Sequence, residues 1–251
     1  MKFKLIILLI LTSFTLAKPT YTLAQDVSNT LAKAIERFGA KEYEQALELF
    51  KTIDKNSEAQ SYLGNMYFFG KGVTQNYQEA EKWYRKSAEQ GDAKAQTFLG
   101  HMYVTGQGVA KNCREAEKWL RKSAEQGDAY AQTELGIMYR NGDGVPQNYA
   151  EAMKWFRKGA EQENEEAMFR LSVMFQKGEG VPQNYTDAFK WIKKAAEKGH
   201  PGSKRMLGLI YYGGINERYG VKKDRQEAEK WFRKAAAQGD PQAIEILRDY
   251  F

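Results

Sequence analysis

The chain has little cysteine, histidine or proline. Among its 251 residues are one cysteine, two histidines and five prolines. Because Cys113 stands alone, no intramolecular disulfide can form, and stability has to come from packing. His101 and His200 have neither an H-x-x-x-H spacing nor a cysteine partner. The sequence therefore predicts no zinc site and no other metal site.

Long blocks of one charge are also missing. The 38 lysines and arginines alternate with 32 acids, for a formal net charge of +6. Such alternation is typical of solvated helix faces and argues against a nucleic-acid partner. Acids such as Glu79 and Glu81 recur in neighbouring segments instead of forming one singular pair, and the recurring Gly70–Val73 type of loop has no G-K-[ST] after it. We therefore predict no enzyme and no cofactor.

One apolar run is present, at the N-terminus. Lys2 and Lys4 precede an apolar stretch that ends at Ala17, shorter than the roughly 20 residues of a membrane-spanning helix. Small residues allow cleavage after Ala17 or Ala24, and we favour a signal peptide over 1–24. Its removal takes away three lysines and no acid, and leaves a periplasmic or secreted protein, expected to be a monomer, without membrane insertion. The alternative is an uncleaved anchor on a cytoplasmic protein.

Tryptophan recurs at a fixed spacing. A step of 36 residues separates Trp83, Trp119, Trp155 and Trp191, and Trp231 follows after 40. The same step relates Leu-Gly pairs such as Leu99-Gly100. A period of 20 to 50 residues is the signature of a repeat architecture. At this spacing the aromatic residues are expected in the core, and Cys113, which replaces a repeated tyrosine, is expected at a half-buried packing position.

Each repeat has the pattern of a helical hairpin. Apolar residues at helical spacing from Ala95 to Tyr103 stop at Gly106 and Gly108, and the helical pattern resumes after them. An asparagine or aspartate stands three residues before an acid where each second helix begins, as in a capping box. These predicted caps are Asn76, Asn112, Asn148, Asn184 and Asp224. Asp92, Asp128 and Asp240 are predicted to cap first helices.

The full pattern is A-x-x-x-L-G-x-x-Y-x-x-G-x-G-V, followed by N/D-x-x-x-A-x-x-W-x-x-K-x-A-x-x-G. It resembles the Sel-one-like repeat, a relative of the tetratricopeptide repeat. The resemblance implies an all-α, right-handed superhelical solenoid of antiparallel helix pairs, and a non-enzymatic scaffold that binds a protein or peptide through its concave surface. Some cysteine-rich exported relatives are linked to β-lactam hydrolysis. This chain lacks their paired cysteines and any S-x-x-K, so cell-wall or β-lactam binding is the alternative, which a turnover assay distinguishes.

The repeat register gives an expected organisation of the chain. It comprises a signal peptide (1–24), a tetratricopeptide-like hairpin (25–58), repeats at 59–94, 95–130, 131–166, 167–202 and 203–242, and a closing helix (243–251). Repeat five carries a loop insertion, Ile215 to Tyr219.

The resemblance also implies that the first helix of each hairpin lines the inner curve. On this helix, two sets of equivalent side chains, which we call rows, differ from repeat to repeat, while the packing residues around them stay nearly the same. We predict that these two rows bind the partner. One row is Ser61, Thr97, Thr133, Phe169 and Arg205; the other is Asn65, His101, Ile137, Val173 and Leu209; Arg140 and Tyr212 belong to a third. The rows become apolar toward the C-terminus, so repeats three to five are expected to hold the main contact. The outer face and the insertion are the alternatives.

Overall fold

The computed structural model describes residues 18–213 and 216–251, which fall into two compact units divided between Lys111 and Asn112. Residues 1–17, with most of the predicted signal peptide, lie outside the described residues, as do Gly214 and Ile215 of the predicted insertion. Within the described ranges the secondary structure is helical and contains no strand. The predicted all-α class is confirmed.

The first unit is built from helix pairs. Its described helices are α1 (Lys18–Gly39), α2 (Tyr43–Thr52), α3 (Ser57–Phe69), α4 (Tyr77–Glu89) and α5 (Ala93–Thr105). Helix α1 packs against α2, and α3 packs against α4. Phe50, Leu63 and Tyr84 are fully buried between them. The Phe50 and Tyr62 rings stack with centroids 4.9 Å apart, which joins the first pair to the second.

The second unit repeats this arrangement. Its described helices are α6 (Cys113–Glu125), α7 (Ala129–Asn141), α8 (Tyr149–Glu161), α9 (Glu165–Lys177), α10 (Tyr185–Lys198), α11 (Pro201–Tyr212), α12 (Asn216–Tyr219), α13 (Arg225–Ala236) and α14 (Pro241–Tyr250). The pairs are α7 with α8, α9 with α10, and α11 with α13. A continuous core that includes Phe156, Leu171 and Met174 is fully buried.

Side chains cap both helices of each pair after the first. At the start of α8, the Asn148 side chain accepts a hydrogen bond from the Glu151 amide at 3.1 Å. The other predicted caps of second helices do the same. On the first helices Asp92, Asp128 and Asp240 are caps as predicted. These bonds satisfy amides that a helix leaves unpaired in its first turn, so they fix where each helix begins.

The repeated tryptophan is largely buried and has a lysine above its ring. Trp119, Trp155 and Trp231 are 5%, 3% and 6% exposed, which confirms the core prediction for these three. Three residues after each tryptophan, a lysine ammonium sits over the indole; Lys122 lies 4.3 Å from the Trp119 ring centroid. The recurring W-x-x-K therefore forms a cation–π pair on the helix surface.

The predicted loop insertion contains a helical turn. Residues Asn216–Tyr219 form α12, and the Tyr219 side chain is 6% exposed. The Gln176 amide donates a hydrogen bond to the Tyr219 hydroxyl at 2.5 Å, and the Tyr185 ring meets the Tyr219 ring edge-on at 5.3 Å. The inserted residues thus add packing to α9 and α10 instead of only lengthening a loop.

Candidate protein-interaction surface

The first helices of the second unit leave one stripe of side chains partly exposed. Residues i, i+4 and i+7 share a helix face, because each residue advances about 100° around the axis. On α7, α9 and α11 the stripe is half-buried or exposed along its length. We call the following residues the A-face of the second unit: Tyr130, Glu134, Ile137, Glu166, Arg170, Val173, Met206 and Leu209.

Three predicted contact residues are buried instead. Ser61, Thr97 and Thr133 are 4%, 8% and 2% exposed, so their placement on a free face was wrong. The Thr133 hydroxyl bonds to the Ala129 carbonyl at 2.8 Å and to the Asn164 side chain at 3.2 Å. At Thr133 the side chain therefore points toward the neighbouring hairpin. The partly exposed row lies one residue later along each helix, at Tyr62 and Phe98 in the first unit and at Glu134, Arg170 and Met206 in the second.

Phe169 and Arg205, the last two members of the predicted row that begins with Ser61, are also packing residues. Phe169 is half-buried, and its ring stacks on His200 with centroids 4.4 Å apart. The Arg205 guanidinium donates to the Asp240 carboxylate at 3.1 Å. Phe169 therefore joins α9 to the start of α11, and Arg205 joins α11 to the cap of α14.

The second predicted row lies at the edge of the exposed stripe. Its members Asn65, His101, Ile137, Val173 and Leu209 are all half-buried. Asn65 accepts a hydrogen bond from the Tyr84 hydroxyl at 2.8 Å. Burial lowers the pKa of His101 below its ordinary value, which keeps the imidazole neutral. Ile137 and Leu209 touch the core on one side and solvent on the other.

The third predicted row is divided between a buried ion pair and an exposed ring. Arg140 donates to both carboxylate oxygens of Glu179, at 2.7 and 3.1 Å, and the two side chains are only 17% and 15% exposed. This pair ties α7 to the loop after α9. Tyr212 is 39% exposed and contacts the rings of Tyr250 and Phe251. Of the two, only Tyr212 is available to a partner.

Two glutamates on the A-face have opposite electrostatic environments. The Glu166 carboxylate accepts from Arg170 at 2.6 Å and contacts His200 at 3.0 Å, and these partners hold its pKa below the ordinary value. Burial raises the pKa of Glu134, and the negative charge of Glu166 adds to the effect. Burial also raises the pKa of Tyr130 to about 12. The A-face thus has a polar part on α7 and α9, which borders apolar Val173 and the apolar side chains of α11.

The contacts around His200 have the composition of a catalytic triad, but they close a helix end. The His200 Nδ1 lies 2.9 Å from the Ser203 hydroxyl and also accepts the Ser203 amide hydrogen at 3.0 Å, so this nitrogen caps α11. Ser203 is fully buried, out of reach of a substrate. The group is therefore a helix cap braced by Glu166.

The first unit exposes aromatic side chains on its own first helices. Phe69 is 50% exposed, and its ring lies 6.2 Å from that of Phe98. Phe98 stacks on Tyr84 at 4.9 Å, and the Lys71 ammonium sits 5.3 Å from the Phe69 ring centroid. Sequence comparison of the rows missed this patch because it lies one helix position away from the residues selected.

Two further findings concern ligands and membranes. Within the described ranges no group of three or more histidine, cysteine, aspartate or glutamate side chains could hold a metal ion. None of the helices in those ranges combines the length and apolar character that crossing a membrane requires.

Paired helices repeated in register, with an exposed stripe on the first helix of each pair, define a tandem helical-repeat scaffold. The family model described as "Sel1 repeat" matches residues 57–92, 93–128, 129–164, 165–200 and 202–240. The chain belongs to the Sel1 repeat family, whose members are generally non-catalytic scaffolds for protein–protein interaction.

Solved structures agree with this assignment. A Sel1 repeat protein from Oxalobacter formigenes is 35% identical, with a TM-score of 0.79 over 87% of this chain and 86% of that one. A protective antigen of uropathogenic Escherichia coli strains that displays an SLR fold is 32% identical, with a TM-score of 0.73 over 88% of this chain. This chain spans 48% of that antigen. An immunity protein from Pseudomonas aeruginosa, 18% identical, covers 86% of this chain and 83% of its own with a TM-score of 0.54, and shares the fold alone. The comparison with curated proteins finds no match.

Proposed function

We propose that this chain is a non-enzymatic scaffold that binds a protein or peptide through the A-face of its second unit. The observation that carries the proposal is the contrast between two neighbouring positions on each first helix. One makes contacts that hold the hairpins together, as Thr133 and Phe169 do; the next is partly exposed and changes from glutamate to arginine to methionine along the unit. Side chains that packing does not fix can be selected for a ligand.

The A-face has the chemistry of a protein contact. Val173, Met206 and Leu209 supply partly exposed apolar side chains on α9 and α11, while Glu134 and Arg170 supply charge on α7 and α9. An apolar centre bordered by polar groups is the usual composition of a protein interface. We expect the partner to cover the apolar side chains of α9 and α11 with apolar residues of its own. Its polar groups would then contact Glu134 and Arg170.

A paired substitution tests the A-face. Val173→Lys with Met206→Lys places two long cations on the apolar part, and the helices tolerate them because lysine can extend its charge into solvent. Proteins recovered from an extract on the wild-type chain are identified by mass spectrometry, and the affinity of the strongest is then measured. We expect the double variant to raise the Kd of that partner at least tenfold.

The matched control carries the same two added charges on second helices. Thr186→Lys on α10 and Gln226→Lys on α13 replace exposed residues. This variant should retain the wild-type Kd, and both variants should keep the wild-type circular dichroism. Equal binding by both double variants would place the contact elsewhere. Phe169→Ala is a poorer probe, because loss of its stacking on His200 would also weaken the fold.

We also propose that the chain is exported and acts in the periplasm or outside the cell. Support comes from the sequence of residues 1–24, with Lys2 and Lys4 before a short apolar run and small residues before Gln25. Expression of the full chain in a bacterium and N-terminal sequencing of the periplasmic fraction should give Gln25 as the first residue. Recovery of the intact N-terminus in the membrane fraction would support the anchor instead.

A further inference from the structure

An arginine on the second helices is held by the same two partners in neighbouring repeats. On α6, the Glu117 carboxylate accepts from Arg121 Nε at 2.6 Å, and the Tyr139 hydroxyl accepts a second bond from the guanidinium. In the first unit Arg85 makes the equivalent bonds, to Glu81 on α4 and to the Tyr103 hydroxyl on α5, each at 2.7 Å. In both repeats the glutamate and the tyrosine thus occupy guanidinium N–H donors that could otherwise bind a carboxylate from outside.

The next repeat keeps the arginine and loses both partners. Arg157 on α8 follows Arg121 at the repeat step, but the position of the glutamate holds Met153 and that of the tyrosine holds Phe175. Neither side chain has an oxygen that could accept a hydrogen bond from the guanidinium. Arg157 is exposed, and in the described part of the chain it has no hydrogen bond or ion pair. Its guanidinium donors are therefore available to an acceptor from outside.

An open groove lies at this position. It has a volume of about 530 Å³, and its lining includes Met153, Lys154, Arg157, Lys158 and Glu161. Met153 is 6% exposed and forms an apolar floor. Three cations face one acid, so the lining is positive.

The two lysines of the groove are engaged with other groups. Lys154 contacts Glu151 at 3.5 Å, and the Lys158 ammonium lies 4.4 Å from the Trp155 ring centroid. Arg157 is thus the cation of the groove that has neither an ion pair nor a ring contact in the described residues, and it lies beside an apolar surface.

We propose that this groove on α8 binds an acidic peptide segment of a partner, with a carboxylate on Arg157 and an adjacent apolar side chain over Met153. The carboxylate would replace the acceptors that Glu117 and Tyr139 supply to Arg121 in the neighbouring repeat. The apolar floor favours a peptide over a nucleic acid, whose phosphates would leave Met153 uncovered. This site lies on a second helix and is independent of the A-face, so either can fail without the other.

Fluorescence anisotropy with the full chain tests the groove. The probe is a fluorescein-labelled octapeptide of alternating glutamate and leucine, and its controls are the glutamine–leucine peptide and a thymidine octanucleotide. Arg157→Gln should weaken binding of the acidic peptide at least tenfold, because a charge-assisted pair is lost. Arg121→Gln, the same change where the partners are internal, should bind within twofold of wild type.

A second variant supplies Arg157 with hydrogen-bond acceptors from the chain itself. Met153→Glu combined with Phe175→Tyr rebuilds the internal partners seen around Arg121, so it should weaken peptide binding at least tenfold while the circular dichroism stays that of the wild type. Absence of binding by the wild-type chain would overturn the proposal. So would equal affinity of the two arginine variants, equal affinity for the glutamine peptide, or tighter binding of the oligonucleotide.

Discussion

Replacing Trp119 by alanine is expected to lower the free energy of unfolding by about 3–5 kcal/mol. The indole is 5% exposed on α6, so truncation removes a large buried surface and leaves a cavity. Urea denaturation followed by circular dichroism measures the loss. Trp119→Phe should recover most of it, because the indole N–H is buried without a hydrogen-bond partner in the described structure and phenylalanine removes that group.

Lys118→Ala is the matched control on the same helix. The Lys118 side chain is 57% exposed, and its contact with Glu115 is 3.7 Å long, so the change should cost less than about 0.5 kcal/mol. Lys122 serves less well. The sequence alone predicts that Lys122→Ala is silent, but its ammonium lies over the Trp119 ring, and we expect a loss of about 0.5–1 kcal/mol. Indistinguishable denaturation of Trp119→Ala and Lys118→Ala would mean that the repeat register is wrong.

The framework of the repeat could be predicted because packing imposes nearly the same residues at the same places in each unit. Ala131, Leu135 and Gly136 recur at the repeat step, except that the alanine and the glycine are each replaced once by serine, and all three are buried. A Cβ on Gly136 would lie 2.7 Å from the Phe156 ring, so close approach of the two helices requires glycine there. The asparagine caps were predictable for a similar reason, since their bonds are local in sequence.

The candidate surface was harder to predict because its position on the helix depends on neighbours. Thr133 and Glu134 differ by one residue, which turns the side chain by about 100° from the adjacent hairpin toward solvent. Variation along the chain does not distinguish the two positions, because a buried polar residue can vary as long as its hydrogen bonds are kept. The i, i+4, i+7 spacing of Tyr130, Glu134 and Ile137 was the available signal.

The groove on α8 escaped the sequence analysis for a different reason. Arg157 matches the repeat pattern, and only the simultaneous loss of its two partners, four residues before it and eighteen after it, makes it unusual. The earlier partner, Met153, is also buried and resembles an ordinary core residue. Arg157 would have been found by taking the positions that contact each other in one repeat and asking whether the next repeat keeps all of them.

Gly144→Ala is expected to destabilise the second unit by about 2–5 kcal/mol. Gly144 has a φ of +76°, a left-handed conformation that costs an alanine about 1–2 kcal/mol. An added Cβ would also lie 2.6 Å from the backbone carbon and oxygen of Cys113, at the start of α6. Backbone cannot move aside as a flexible side chain does, so overpacking adds about 1–3 kcal/mol.

Gly142→Ala separates these two contributions. Gly142 has a similar φ of +83°, but its nearest contact to an added Cβ is the Gln147 side chain at 3.4 Å. This variant should lose only the conformational part, about 1–2 kcal/mol. The two variants are compared by urea denaturation under the same conditions, and the difference between them reports the close approach of the loop to α6. If the two variants lost the same free energy of unfolding, the loop would be able to move away from Cys113 without cost. Gly144 would then be needed for its backbone angle alone.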